Sequence, residues 1–348
     1  MTRSPQYPEL DTPCAVINLD TVDRNVNAYQ AYCDQHGIAL RPHIKTHKIP
    51  AFAKQQLAAG AKGITCQKIG EAEVMADAGL DDILLTYNVL GTRKLARLRA
   101  LFDRVKSLRV VADNVAVVEG LSRAFADSDK PLEILVECDT GGGRCGVQTP
   151  KAAVELAQKI ESLPGVSFAG LMTYPSAGGG PKVGGFFGDA MAKLEGLGIA
   201  CPVRSSGGTP DMWKAHEVAN VTEHRIGTYI YNDRSLMARD VCGEDDCALR
   251  VVAEVVSLPA PGRAVIDAGS KVLTSDLLGL DGFGYVVGHP EEHGVLHFEP
   301  DLTPFEIGER IEIIPNHVCV VSNMLDQVHL VRGDTIKTVD VAARGKVL

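Results

Sequence analysis

The feature that most constrains this chain is a repeated alternation of two textures. After an opening apolar stretch, Cys14-Ala-Val-Ile-Asn-Leu19, and a helical segment from about Thr21 to His36, short aliphatic and β-branched runs alternate with longer stretches of helical spacing. The runs cover residues 38–44, 63–67, 82–88, 108–113, 132–139, 166–174, 202–207 and 224–229. Helices are predicted between them at 49–59, 70–78, 92–106, 115–127, 150–162, 185–197 and 210–219. Strands that alternate with helices pair in parallel, and eight such units favour a closed (β/α)8 TIM barrel, with an open doubly wound sheet as the alternative.

From about Cys242 the texture changes. Short β-rich segments at 248–257, 263–268, 282–287, 294–297, 310–314, 318–322 and 327–331 are separated by turn signals such as Pro259-Ala-Pro-Gly262 and Arg332-Gly-Asp, with no clear helix between them. The expectation is therefore an α/β chain of two domains: a barrel over 12–240 and a C-terminal antiparallel β-domain over 241–348. Residues 12–20, which precede the barrel repeats, are candidates to pair with the β-domain.

Composition narrows the function classes. The 35 Lys and Arg against 44 Asp and Glu give a net charge of −9, which disfavours broad electrostatic capture of nucleic acid. The nine cysteines are odd in number and scattered, unlike a disulfide framework. No apolar run of about 18 residues occurs, and the N-terminus lacks the apolar core of a signal peptide, so neither a membrane span nor export is expected and the protein is read as cytoplasmic. Glycine is the outlier at 35 of 348 residues, above the usual share of roughly 7%. The glycines cluster in Asp139-Thr-Gly-Gly-Gly-Arg144, Gly178–Gly180, Gly184-Gly185 and Ser205-Ser-Gly-Gly-Thr209, between stretches of regular structure. Such loops let a backbone approach something closely. The Gly178–Gly185 region suggests a flap over the site.

In a barrel of this kind the active site lies at the C-terminal ends of the strands, and here those ends are polar. The first run ends in Arg41-Pro-His-Ile-Lys-Thr-His-Lys48, the second in Cys66-Gln-Lys68, the third in Tyr87-Asn88. The fifth ends in Glu137-Cys-Asp-Thr-Gly-Gly-Gly-Arg144, the sixth in Tyr174, the seventh in Ser205-Ser-Gly-Gly-Thr209 and the eighth in Gly227-Thr-Tyr229. Lys45, at a strand end among other cationic groups, is placed to act as an amine nucleophile toward an aldehyde. The Ser-Ser-Gly-Gly-Thr loop offers unobstructed backbone N–H groups just before a predicted helix, which is a phosphate cradle, with Gly227-Thr-Tyr229 beside it. A lysine and a phosphate cradle at one barrel mouth meet the requirement for pyridoxal 5′-phosphate (PLP).

Late in the chain, Pro315-Asn-His-Val-Cys319 holds a second constellation. If it is a strand, His317 and Cys319 point to the same side and can bind one ion together, with further positions open to water or substrate. A buried His and a buried Cys without metal is the alternative. His289, His293 and His297 are spaced by four in a region that reads as loop and strand, so they need not share a face.

Pro42-His-Ile-Lys-Thr-His-Lys48, Cys66-Gln-Lys68, Gly143-Arg-Cys-Gly146, Ser206-Gly-Gly-Thr209 and His317-Val-Cys319 together resemble the D-threonine aldolase and D-serine dehydratase family. These are fold-type III PLP enzymes related to alanine racemase, and the resemblance extends from residue 12 to Ala342-Ala-Arg-Gly-Lys346. It implies that Lys45 binds PLP covalently, that Gln67, Arg144 and Tyr174 surround the ring, and that Gly207, Gly208, Thr209, Gly227 and Tyr229 lie near the phosphate. It also implies that His317 and Cys319 hold a divalent metal, with zinc favoured by the cysteine and manganese or magnesium as alternatives, and that the chain forms a homodimer.

The activity implied is that of a lyase acting on small D-β-hydroxy-α-amino acids. Retro-aldol cleavage of D-threonine to glycine and an aldehyde is favoured by length and by the surroundings of the lysine motif. Dehydration of the D-serine type, giving an oxo acid and ammonia, is favoured by Cys319. Amino-acid racemisation would call for a second acid/base, and the only tyrosine after residue 231 is Tyr285, in a context that reads as a packed strand. A PLP carrier without turnover is the non-enzymatic alternative, and the extra β-domain argues against it.

Overall fold

The computed structural model of the chain describes residues 2–3, 7–276, 286–288, 290–299 and 305–348. Tyr285, His289 and part of the strand expected at 282–287 lie outside the described residues. The chain forms two compact units. One comprises Asn27–Lys45, Ile49–Gly227 and Lys346–Leu348; the other comprises Met1–Val26, Thr46–Lys48 and Thr228–Gly345.

The first unit is the barrel. Its eight strands in chain order are Ala39–Leu40, Ile64–Cys66, Asp82–Leu85, Ser107–Ala112, Leu132–Cys138, Val166–Thr173, Val203–Gly207 and Glu223–Arg225. Every neighbouring pair in the ladder is parallel. Between the first and second strands, the Lys62 N–H donates to Leu40 O at 2.8 Å and the Thr65 N–H to Pro42 O at 2.7 Å, which closes the ring. Strand closure leaves no exposed edge in this sheet. The aliphatic strand residues Ile64, Ile83, Val110, Ile134 and Leu171 are all fully buried, as expected of strands covered on both faces.

The helices Pro50–Ala58, Ile69–Asp77, Thr92–Phe102, Val115–Phe125 and Pro150–Glu161 fall where the apolar spacing predicts them, within a few residues. Asn114 and Thr149 cap two of them by accepting from the N–H of Val117 and Ala152. The seventh connection differs: a 3-10 segment, Thr209–Glu217, replaces the expected helix.

The glycine-rich Gly178–Gly185 segment is mostly helix rather than loop. The helix Gly180–Glu195 begins inside it, five residues earlier than expected. Gly180, Gly184 and Gly188 recur at a spacing of four and so share one helix face. A Cβ on each would press on Val218, Ala219 and Asn220 respectively, at 3.1–3.3 Å, and Asn220 Nδ2 donates to the Gly184 carbonyl at 3.1 Å. The glycines let this helix pack closely on the 218–220 segment.

The second unit is a mixed sheet. Cys14–Asn18 runs antiparallel to Leu249–Ala260 and parallel to Gln327–Arg332, so the expected all-antiparallel pattern is broken by the N-terminal strand. Leu249–Ala260 also pairs antiparallel with Arg263–Ile266 and Arg310–Ile313. The insertion of Cys14–Asn18 places its Ala15 and Ile17 in the sheet's buried layer, fully excluded from solvent. Short helices, Arg234–Met237, Ser270–Leu273 and Val318–Met324, interrupt the β pattern.

Candidate active site

The C-terminal ends of the barrel strands gather most of the residues singled out by sequence. Pro42 follows the first strand and cannot donate to a ladder, so the strand stops at Leu40, well short of residue 44, and the chain turns into the 3-10 segment Ile44–Thr46 that carries Lys45. His43 beside it is buried. Gln67 Nε2 donates to Thr86 O at 2.8 Å, which leaves Gln67 Oε1 as an acceptor. The Oε1 lies 3.1 Å from His43 Nε2, so the hydrogen-bond pattern assigns the His43 proton to Nε2. With that tautomer His43 Nδ1 is an acceptor, and the Lys45 N–H points at it across 3.4 Å. Gln67 thereby orients the turn on which the lysine sits.

On the opposite part of the ring, the loop after the fifth strand is folded around Asp139, whose Oδ1 accepts from the N–H groups of Gly141 at 2.8 Å and Gly143 at 3.2 Å. Gly146, at φ 118°, has no room for a side chain, because a Cβ would overlap the backbone of Asp139. The loop brings the Arg144 guanidinium over the Tyr174 ring, 4.6 Å from its centroid. At the end of the seventh strand Gly208 adopts φ 153°, a conformation that L side chains rarely take. Apart from its chain neighbours, a Cβ there would meet only Tyr174 Cε2 at 3.8 Å and Pro210 Cδ at 3.9 Å, so the space beside it is open. The space kept clear at Gly208 suits an anion held by backbone N–H groups. Gly207 has a different reason to be glycine. A Cβ on it would overlap the carbonyl oxygen of Arg225 in the adjacent strand, so its role is close strand pairing.

Two charged groups at this mouth were given no role by the sequence reading, Arg225 and Glu137, the latter quoted only as part of a polar strand end. Arg225 is buried inside the ring of strands, where Nη1 donates to Ser205 Oγ at 2.6 Å and Nη2 to Thr173 O at 2.8 Å. Burial pulls its pKa down to about 10, partly offset by the charges of Glu223 and Glu137, so it remains a cation at neutral pH. Glu137, in the fifth strand, is likewise nearly excluded from solvent. The available signal was a charged residue inside an otherwise apolar strand run.

Gly227 is the last residue of the barrel unit's main segment, and Tyr229, His317 and Cys319 fall in the second unit. Tyr229 is fully buried on the 3-10 turn Thr228–Ile230. His317 and Cys319 are not on a strand, as the β-branched run suggested. His317 is the N-cap of the helix Val318–Met324. The first turn is satisfied from a distance in sequence: Asp233 Oδ2 accepts from the Val318 N–H at 3.3 Å, a non-local cap that no local pattern reveals. The two side chains remain near enough for the Cys319 thiol to act on the His317 imidazole. Asp276 Oδ2 lies 2.6 Å from His317 Nδ1, and Thr46 Oγ1 lies 3.1 Å from Cys319 Sγ. Burial opposes a charge on His317, but the hydrogen bond and charge of Cys319, with Asp276 and Asp233, push its pKa up to about 9. Among the described residues no group of three or more His, Cys, Asp or Glu side chains forms a metal cluster. No helix of the described residues is long and apolar enough to cross a membrane.

The fold and these residues can be set beside known proteins. Residues 17–235 match the alanine racemase N-terminal domain, and residues 248–331 match a serine dehydratase domain. The chain is 35% identical to the D-threonine aldolase of an Arthrobacter species, over 97% of this chain and 93% of the relative. The chain belongs to the D-threonine aldolase and D-serine dehydratase family. Within that family it is also 32% identical to the D-threo-3-hydroxyaspartate dehydratase of Delftia sp. HT23, over 89% of this chain and 91% of the relative. The crystal structure of D-threonine aldolase from Filomicrobium marinum superposes with a TM-score of 0.89 at 33% identity, covering 98% of this chain and 97% of the other. Aldolases and dehydratases thus both stand among the family members it resembles.

Proposed function

We propose that this chain is a PLP-dependent lyase that cleaves D-β-hydroxy-α-amino acids, with D-threonine, split to glycine and acetaldehyde, as the favoured substrate. The observation that carries the reading is the joint arrangement of the barrel mouth: a lysine on a turn oriented by His43 and Gln67, and a glycine cradle at Gly208 kept clear of side chains. Both features fit the cofactor. The Lys45 amine would hold its aldehyde, the N–H groups after Gly208 its phosphate, and Arg144 and Tyr174 would flank its ring. Bound there, PLP supplies a sink for the electron pair released at the substrate Cα. The Lys45 amine would also serve as the base or acid for a proton at Cα. The fixed cation of Arg225 adds a positive charge that holds anionic groups in the barrel mouth.

His317 and Cys319 suit a divalent metal with open positions, and zinc best, because a thiol and an imidazole are its ordinary donors. Asp276 bonded to His317 Nδ1 supports this, since a carboxylate there directs the other ring nitrogen outward as a ligand. A cysteine-to-alanine variant of a D-threo-3-hydroxyaspartate dehydratase has been solved in a metal-free form. A metal at this pair would polarise a substrate hydroxyl. Manganese or magnesium would serve the same role. Dehydration to an oxo acid and ammonia is the second reading, and Cys319 is the residue that favours it.

The proposal includes a cytoplasmic homodimer. Tyr87, Leu90 and Tyr174, exposed at strand ends of the barrel, are apolar surface that a second copy would cover. The cofactor assignment is tested by reconstituting the protein with PLP, reducing it with borohydride and digesting it. A pyridoxyl group on the Lys45 peptide is expected. Labelling spread over surface lysines, with none at Lys45, refutes the assignment.

A further inference from the structure

Glu137 is a buried ionisable group at the barrel mouth to which the proposed chemistry gives no task. It sits in the fifth strand, Leu132–Cys138, with its side chain 4% exposed. Burial pushes its carboxyl pKa up, while the guanidinium ions of Arg144 and then Arg225 pull it back down. A carboxylate placed so deep is costly unless cations face it, and two do.

Arg144 has the opposite problem. Its side chain is 55% exposed and comes from a loop that is mostly glycine, so a long and mobile side chain must be held by what it touches. Its guanidinium carbon lies 4.6 Å from the Tyr174 ring centroid on one side, and Nη2 lies 4.0 Å from Glu137 Oε1 on another. A ring face attracts a guanidinium without fixing its direction, whereas a buried carboxylate fixes a direction. The neighbouring carboxylates are committed elsewhere. Asp139 accepts from the Gly141 and Gly143 amides, and Asp113 from Asn88 Nδ2 at 2.8 Å and the Gly146 N–H at 3.0 Å. These bonds hold the loop itself, which leaves Glu137 to aim the side chain it carries.

Resting on the reading of this mouth as a PLP site, we propose that Glu137 is a positioning residue that holds the Arg144 guanidinium against Tyr174, in the place from which both meet the cofactor ring. It touches neither cofactor nor substrate. Its effect runs through Arg144, and removing it matters only while Arg144 is present.

A double-mutant cycle tests this, with Glu137→Gln, Arg144→Met and the pair in the full-length protein. Two quantities are read: the dissociation constant of PLP, from titrating apoprotein and following cofactor absorbance, and kcat/KM for D-threonine. Glu137→Gln is expected to weaken PLP binding by roughly three- to tenfold alone and to add little in the Arg144→Met background. Equal losses in both backgrounds overturn the proposal, because Glu137 would then act through Arg225 or through general stability. An unchanged dissociation constant in Glu137→Gln overturns it as well. If Glu137→Gln does not fold by circular dichroism, Glu137→Asp replaces it in the same cycle, since the shorter side chain withdraws the carboxylate while keeping the charge. A wild-type protein that does not bind PLP at all overturns the cofactor reading first, and this proposal with it.

Discussion

Replacing Arg41 with methionine is expected to destabilise the barrel by about 3 kcal/mol, at the lower end of the 3–5 kcal/mol typical of breaking a buried ion pair by removing one partner. Arg41 is 1% exposed, with Nε 2.7 Å from Glu223 Oε2 and Nη1 2.7 Å from Asp82 Oδ1. The two carboxylates differ in what they lose. Asp82 is 29% exposed and can rehydrate, so its share is small, like that of a surface pair. Glu223 is 7% exposed and cannot; it keeps the Ser205 hydroxyl, which donates to Oε1 at 2.7 Å, and the weaker influence of the Arg225 charge. A partial offset comes from Arg41 Nη2, which is buried without a partner among the described residues, and whose removal relieves about 1 kcal/mol. Methionine retains most of the aliphatic stem, so packing changes little.

Urea unfolding of wild type and Arg41→Met, followed by circular dichroism, measures the difference. At a slope of roughly 1–3 kcal/mol per molar, the midpoint should fall by at least about 1 M. The pH dependence checks the cause. Burial pushes the Glu223 carboxyl up, but Arg41 and the hydrogen bonds to it outweigh this and hold it below the ordinary value. A lowered carboxyl contributes stability that is present above the unfolded pKa of about 4.3 and is lost as pH falls through the folded value. In Arg41→Met the carboxyl rises instead and takes up a proton. The gap between the two proteins should therefore be widest above about pH 5 and should narrow below it. A difference under about 1 kcal/mol at pH 7, or one that grows on acidification, refutes the reasoning.

Other substitutions separate the cofactor, the metal and the fold. Lys45→Ala should abolish the yellow colour of the reconstituted protein and its turnover while leaving the unfolding midpoint nearly unchanged, as spectrophotometry and urea titration would record. His317→Ala should keep the colour and lose the response of turnover to EDTA and added zinc; full activity in that variant refutes the metal assignment. Gly207→Ala should cost at least about 3 kcal/mol or prevent soluble expression, because the added methyl overlaps the Arg225 carbonyl in the next strand. A stable Gly207→Ala protein with wild-type unfolding would show that the seventh and eighth strands can separate freely.

The barrel was legible because its strands are covered on both faces, and runs such as Leu132–Cys138 and Val166–Thr173 therefore stand out as predominantly apolar stretches. What eluded the sequence was set by partners far away in the chain. The run around Val318 reads as a strand, yet it is a helix whose first N–H is satisfied by Asp233, 85 residues earlier. The residues from Gly180 to Gly184 fall before the predicted helix at 185–197, yet with Gly188 their glycines make one helix face that fits Val218, Ala219 and Asn220. Lys45 and the Gly-Gly pair were visible because a strand end with that chemistry is unusual locally. The roles of Arg225, Glu137 and Arg41 were not, although the last two stood in polar strand ends, because a buried charge acquires its meaning only from residues elsewhere in the chain: Ser205 and Thr173, Arg144, and Glu223 with Asp82.

The central claim is the reaction itself, and product analysis tests it most directly. Protein reconstituted with PLP and zinc or manganese is incubated with D-threonine, and glycine, acetaldehyde, oxo acid and ammonia are quantified together. The account predicts glycine and acetaldehyde in equal amounts, with L-threonine left intact. Oxo acid and ammonia in their place, or D-threonine recovered unchanged, would contradict it.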